Sequence, residues 1–223
     1  MDTLEAIEKR HSVRDYYDRP IDAGMVEKLQ KAIEEANKES GLHIQLVLDE
    51  PEAFNEEHLS YGRIHGAKNY IALIGSDDQE LEEKCGYYGE KVLLEAVKLG
   101  LGTCWVGSTY KKMASVVDIK EGERFLLIIA IGYAMNEGEP HKSKSLEDTL
   151  IADVDRPDWF IKGGEAALLA PTAMNQQKFQ FILHDDGKVE AKTYRAYFCK
   201  TDLGIAKYHF EVGAGKENFE WEK

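Results

Sequence analysis

Cysteine is scarce in this chain: three residues in 223, Cys85, Cys104 and Cys199. They cannot all pair with one another and show no close ligand spacing, which excludes a disulfide framework and argues against a zinc knuckle. They read as reduced, mostly buried thiols. Long apolar runs are missing too. The longest covers residues 125–131, whereas about 20 apolar residues are needed to cross a bilayer as a helix. The opening Met1-Asp2-Thr3-Leu4-Glu5 has neither the basic nor the apolar region of a signal peptide, so the expectation is a cytoplasmic protein without a membrane partner. Positive charge is short as well: 28 basic against 41 acidic residues, a formal net charge of -13. That balance opposes nucleic acid or anionic lipid across most of the surface. No Ser-His-Asp pattern, paired-carboxylate site or metal-ligand spacing is legible, so no catalytic side chain and no metal is expected.

What is present suffices for a packed protein, since 43% of the residues are hydrophobic. Asp2 and Glu5 have the spacing of a capping pair ahead of a short helix ending near Arg10. Met25, Leu29, Ala32, Ile33 and Ala36 recur at helical spacing up to Gly41, and Cys85, Tyr88, Val92, Ala96 and Leu99 mark the buried stripe of a helix over about 78–99. Residues 44–48 and 70–74 read as strands, 113–117 as a short helix, and 125–131 as a strand covered on both faces. Residues 137–158, charged and holding two prolines, read as a connection over the surface. These features predict an α/β or α+β first half, residues 1–150, and a shorter second half, residues 151–223, whose core material begins near Asp158.

The halves echo each other. Asp18-Arg19-Pro20 precedes a helix, a polar loop, strand 44–48 and the acidic turn Asp49-Glu50. Asp155-Arg156-Pro157 precedes a helix, a polar loop, strand 179–183 and the acidic turn Asp185-Asp186. Each half has a later helix carrying small residues, over 86–99 and 202–212. Such units are common enough that chance would also produce the match.

Two places could supply a basic pocket for an anion: Arg10, His11 and Arg14, and His141, Lys142 and Lys144. The first cluster would equally suit a solvated helix end. A third feature, residues 170–179, puts Pro171, Thr172, Ala173, Asn175 and Gln177 ahead of the alternation Phe179, Phe181, Leu183. Its fixed proline, small side chains and amides could grip a flat heteroaromatic ring, and loops of this composition also serve as plain helix-to-strand connections.

Taken together, Arg10-His11-Ser12-Val13-Arg14, the stretch Gly100-Leu101-Gly102-Thr103-Cys104-Trp105-Val106-Gly107, and Ile128-Ile129-Ala130-Ile131-Gly132-Tyr133 followed by basic residues resemble the nitroreductase family of FMN-dependent oxidoreductases. The resemblance implies an α+β nitroreductase-like fold with antiparallel or mixed sheets packed by helices. It implies FMN as cofactor, NADH or NADPH as reductant, and an electron-poor small-molecule acceptor such as a nitroaromatic, a quinone or free flavin. It further implies that Arg10, Ser12 and Arg14 hold the FMN phosphate, ribityl chain and pyrimidine edge, with Lys142 and Lys144 also at the phosphate. His11 stands where many members have arginine. The backbone at Trp105, Val106 and Gly107 would lie along the flavin ring, although a helix end with Trp105 filling core is the plainer account. Arg63 falls near a position that contacts FMN in some members, and it would serve equally as a surface arginine.

One departure from the family pattern is informative. The Pro-Ser-x-x-Asn-x-Gln loop usual in the first half is replaced by Ala36-Asn37-Lys38-Glu39-Ser40-Gly41, and its counterpart occurs at 171–177. In family dimers this loop reaches into the other subunit's site. The expectation is therefore a monomer imitating a dimer, with one FMN per chain and further self-association left open. A flavin-binding protein without useful turnover, and a decayed fold kept for interaction, are the rival expectations.

Overall fold

The structure, a computed structural model, describes residues 1–55 and 62–222. Helix α1, Thr3–Lys9, begins with the expected box: Asp2 Oδ1 accepts from the Glu5 amide and Glu5 Oε2 from the Asp2 amide, both at 2.9 Å. Helix α2, Ala23–Ser40, ends at Gly41, whose φ of 74° lies in the left-handed region. Strands β1, Gln45–Val47, and β2, Asn69–Ser76, lead to helix α3, Leu81–Lys98, then β3, Gly102–Val106, and β4, Glu123–Gly132. These strands form one antiparallel sheet in the order β1-β2-β4-β3. Its centre, β2 and β4, is buried on both faces, as the apolar run 125–131 requires. Leu29, Ile33, Leu93, Ile71 and Ile129 share the core on the helical side, while Val13, Tyr16, Phe54, Tyr70 and Ile128 fill the other.

The rest of the chain contains α4, Leu146–Thr149, β5, Leu150–Ala152, α5, Asp158–Ala167, β6, Phe179–Leu183, β7, Lys188–Thr193, α6, Cys199–Ala214, and β8, Glu220–Trp221, so the unit of the second sheet starts a few residues before 151. Its sheet is mixed, in the order β5-β6-β7-β8, with β5 parallel to β6, β6 antiparallel to β7, and β7 parallel to β8. An aromatic core holds it together: Phe181 and Phe210 stack at 4.4 Å between centroids, and Phe160 and Trp221 flank Phe210. The element order α2-β1-β2-α3 recurs as α5-β6-β7-α6, with an antiparallel strand pair in each. Helices α3 and α6, which close the two units, pack on one another.

Two expectations need correction. Residues 113–117 form turns instead of a helix; Met113 and Val117 each lay one apolar side chain on the sheet, and a single turn fixes several backbone angles for one hydrogen bond, too little to nucleate a helix. The stretch 137–158 is more than a surface connection, because it contains α4 and β5. The signal was Ser145 three residues before Asp148, a reciprocal capping box that starts α4. Among the described residues, no helix is long and apolar enough to cross a membrane.

Candidate functional site

The basic segment 10–16 runs along the rim of the first sheet. Ser12 bridges Thr103 in parallel, with the Val13 amide donating to the Thr103 carbonyl at 2.9 Å. On the other side the His65 amide donates to the Arg14 carbonyl at 2.8 Å and the Tyr16 amide to the His65 carbonyl at 2.9 Å. Half-buried Arg63 therefore stands two residues from a direct partner of the segment. Arg14 is exposed, His11 and Ser12 half-buried. Arg10, at the C-terminal cap of α1, is only 5% exposed, and its Nε and Nη1 are buried with no hydrogen-bond acceptor among the described residues. An unpaired buried guanidinium is costly, and such atoms in a native fold call for a partner.

The chain leaving β4 returns over this segment as a strap. Ala134 bridges Tyr16, the Met135 amide donates to the Asp15 carbonyl at 2.9 Å, and Gly138 packs so closely that a Cβ there would lie 2.9 Å from the His11 Cβ. Further on, His141 Nε2 donates to the Leu168 carbonyl at 2.9 Å. Burial, with help from the charges of Arg10, His11 and His209, depresses the His141 imidazole below its ordinary value, against the opposing pull of the Leu168 carbonyl.

From the strap the contacts pass to the proline loop. Asn175 Nδ2 and Gln177 Nε2 both donate to the Lys142 carbonyl, at 2.9 and 2.7 Å. Gln177 Oε1 accepts from the Lys144 amide at 2.8 Å, and Lys144 Nζ donates to the Gln177 carbonyl at 2.7 Å. Thr172 Oγ1 accepts from the Gln177 amide at 3.0 Å, and the Ala173 amide donates to the Asp202 carboxylate at 3.1 Å. Pro171 is half-buried at the start of this loop. Met174, Asn175 and Gln177 hold φ angles of 50°, 53° and 47°. Three non-glycine residues in the left-handed region within four positions make a strained loop, held by its side-chain bonds. Lys142, Lys144, Asn175 and Gln177 are thus brought together across the halves, although the Lys144 ammonium and both amides are occupied within the protein.

Residues Trp105, Val106 and Gly107 diverge. The Trp105 side chain turns inward against Gly89 of α3, its Nε1 donating to Glu90 Oε2 at 2.7 Å. Val106 is buried in the sheet core. Gly107 lies beneath the ring of Phe198, where a Cβ would stand 2.7 Å from two ring atoms. Phe198 itself has a φ of 54° at the N-cap of α6, an uncommon conformation for a bulky side chain.

Sequence reasoning missed four residues here: Phe198, Asp202, Glu90 and His209. Glu90 and His209 are fully buried and lie 2.9 Å apart. Burial raises the Glu90 carboxyl, but His209, Arg10 and Trp105 together outweigh it and hold the group below its ordinary value. The usable signal for Glu90 was an acidic residue directly following Gly89 within the apolar part of α3. For His209 there was no signal before the helix crossing was known.

Comparison with known proteins bears on the family and the fold. A family model described as "Putative TM nitroreductase" matches residues 2–214. The crystal structure of a putative nitroreductase from Thermotoga maritima superposes with a TM-score of 0.70 at 23% identity, covering 99% of this chain and 87% of that one. A structure from Bacteroides thetaiotaomicron, named putative NADH dehydrogenase/NAD(P)H nitroreductase, gives a TM-score of 0.52 at 21% identity over 66% of this chain and 94% of that one. At these identities the two structures bear on the fold alone. A curated protein of Methanothermobacter thermautotrophicus with the same name is 31% identical over 119 residues, which covers 48% of this chain and 61% of that protein. The match thus spans less than two thirds of the relative's length. The family model, reaching from the capping box of α1 to the end of α6, shows that the chain belongs to the nitroreductase family.

Proposed function

We propose that the protein is an FMN-dependent oxidoreductase that passes electrons from NADH or NADPH to an electron-poor acceptor, such as a nitroaromatic, a quinone or free flavin. The observation that carries this reading is Arg10: a buried guanidinium with two unpaired nitrogens, beside His11, Ser12 and Arg14, on a protein of net charge -13. This donor set fits a phosphorylated, anion-forming heteroaromatic, for which charge-assisted bonds in a dry setting are strong. In this reading Arg10, His11, Ser12 and Arg14 hold the phosphate, ribityl chain and pyrimidine edge, with Lys142 and Lys144 near the phosphate and Arg63 alongside. The backbone at Trp105, Val106 and Gly107 and the loop of Pro171, Thr172, Ala173, Asn175 and Gln177 flank the ring. FMN, when bound, supplies the relay for two electrons between reductant and acceptor. The protein's part is to bind, orient and exclude water, and no side chain is assigned as nucleophile or general base.

The recurring helix-strand-strand-helix units support a single chain that imitates a family dimer. The second half has no counterpart of the basic segment, and the first has no proline loop, so one FMN per chain is expected. The test is the visible spectrum of protein mixed with FMN and desalted, followed by NADH or NADPH without oxygen. Retained flavin at a ratio near one, bleached quickly, supports the proposal. Retained flavin that resists both reductants leaves a flavin-binding role, and absence of retained flavin removes the cofactor assignment.

A further inference from the structure

A guanidinium, an imidazole and a carboxylate are buried behind the candidate site: Arg10, His209 and Glu90. Arg10 leaves Nε and Nη1 without acceptors, and Glu90 is the carboxylate whose charge acts most strongly on it. A buried carboxylate and a buried guanidinium ordinarily pair in fork geometry, which would satisfy both. Here they do not. Glu90 Oε1 is taken by His209 Nε2 at 2.9 Å, and Glu90 Oε2 by Trp105 Nε1 at 2.7 Å. The other ring nitrogen, His209 Nδ1, faces the Ala166 carbonyl at 3.0 Å, an acceptor only, so it must carry a hydrogen. The imidazole is therefore fixed at both ends, by α5 on one side and α3 on the other.

We propose that His209 and Trp105 are positioning residues that hold both oxygens of the Glu90 carboxylate, so that the buried Arg10 guanidinium keeps donors free for an anionic group of the ligand. His209 belongs to the second half, Arg10, Glu90 and Trp105 to the first. The second half thereby acts on ligand binding from the interior, through a route separate from the proline loop. The proposal rests on the flavin-site reading for the identity of the ligand. The opening of Arg10 to an anion stands on the unpaired nitrogens alone.

Glu90→Gln and His209→Phe break the same buried pair, and both are expected to destabilise the fold. They differ in what they leave behind. His209→Phe frees one oxygen of the Glu90 carboxylate, whose charge acts on Arg10, a buried guanidinium with unpaired nitrogens. Glu90→Gln leaves no carboxylate to compete. Binding is measured with FMN by fluorescence quenching and with inorganic phosphate by thermal-shift titration, at low salt and on variants verified as folded by circular dichroism. His209→Phe is expected to weaken both ligands by about ten- to hundredfold, the loss of one charge-assisted hydrogen bond. Glu90→Gln should retain the parent affinity, and the double variant should recover it. Equal losses in both single variants, no loss in His209→Phe, or a double variant no better than His209→Phe would overturn the proposal. Phosphate binding without FMN binding in the parent protein would remove the flavin reading and keep this one; binding of neither would remove both.

Discussion

Gly86 of α3 and Gly204 of α6 face each other where the two central helices cross. A Cβ on Gly86 would stand 2.0 Å from the Thr201 carbonyl oxygen and 3.1 Å from the Gly204 Cα; one on Gly204 would stand 2.1 Å from the Glu83 carbonyl oxygen. The obstacles are backbone atoms, which cannot rotate aside, so the helices would have to separate. Gly86→Ala and Gly204→Ala are each expected to lower unfolding free energy by about 1–3 kcal/mol or more, read by denaturant titration. Gly24→Ala is the control: among the described residues nothing lies within 4 Å of a Cβ added at that position in α2, and alanine there should leave stability equal or raise it.

Asp202 gives a pH prediction with a definite sign. Burial pushes its carboxyl up to about 7, against the Ala173 amide, which lowers it. The native state then holds this proton at pH values where the unfolded chain has released it. Asp202 therefore lowers stability progressively as pH rises from about 4 to about 7, with the loss complete above that. Asp202→Asn removes the titration. The stability of the variant relative to the parent should climb by about 1 kcal/mol per pH unit through this window, measured by denaturation at pH 5, 6, 7 and 8. A difference that stays flat with pH would contradict it.

Gln177 is the knot between strap and loop. It is 2% exposed and bonds Lys142, Lys144 and Asn175 at once. Gln177→Ala should cost about 1–3 kcal/mol, because buried backbone groups lose their partners. It should also make the bonds after Lys142 and Lys144 more sensitive to trypsin, followed by mass spectrometry of the fragments.

The thiols offer a simple check of packing. Burial pushes Cys85 up to about 12 and raises Cys104, whereas Cys199 is half-buried. In native protein a chromogenic disulfide reagent should titrate one thiol readily and the other two only after denaturant is added. Fast reaction of all three would show that the first-half core is open.

Much of the fold was legible because local rules and tertiary packing agree there. The capping box at Asp2, the stop at Gly41 and the uninterrupted run 125–131 each encode their element locally. The stripe assigned to α3 was too narrow. Its buried residues include Gly86, Gly89, Glu90 and Leu93 as well as Cys85 and Val92, while Tyr88 and Leu99 are only partly buried, because the helix packs on the sheet and on α6 together. Strand β7 escaped notice since its sequence KVEAKT buries only Val189. At the site, residue types named the basic segment and the amide loop, but two outcomes depend on contacts between distant segments. One is the inward turn of Trp105; the other is the ring of Phe198 over Gly107.

The pairing of Glu90 with His209 joins positions 119 residues apart, and Tyr87 with Glu211 and Lys207 with Glu83 each span 124. A ribosome adding about 5–20 residues per second needs roughly 6–24 s to travel from one end of the first contact to the other. Throughout that interval α3 presents a bare glycine notch and a carboxylate built for an interior that has not yet been synthesised. The first sheet can assemble early, but its central helix stays without a mate until α6 emerges. This ties completion of the first half's packing to a helix that is made more than a hundred residues after α3.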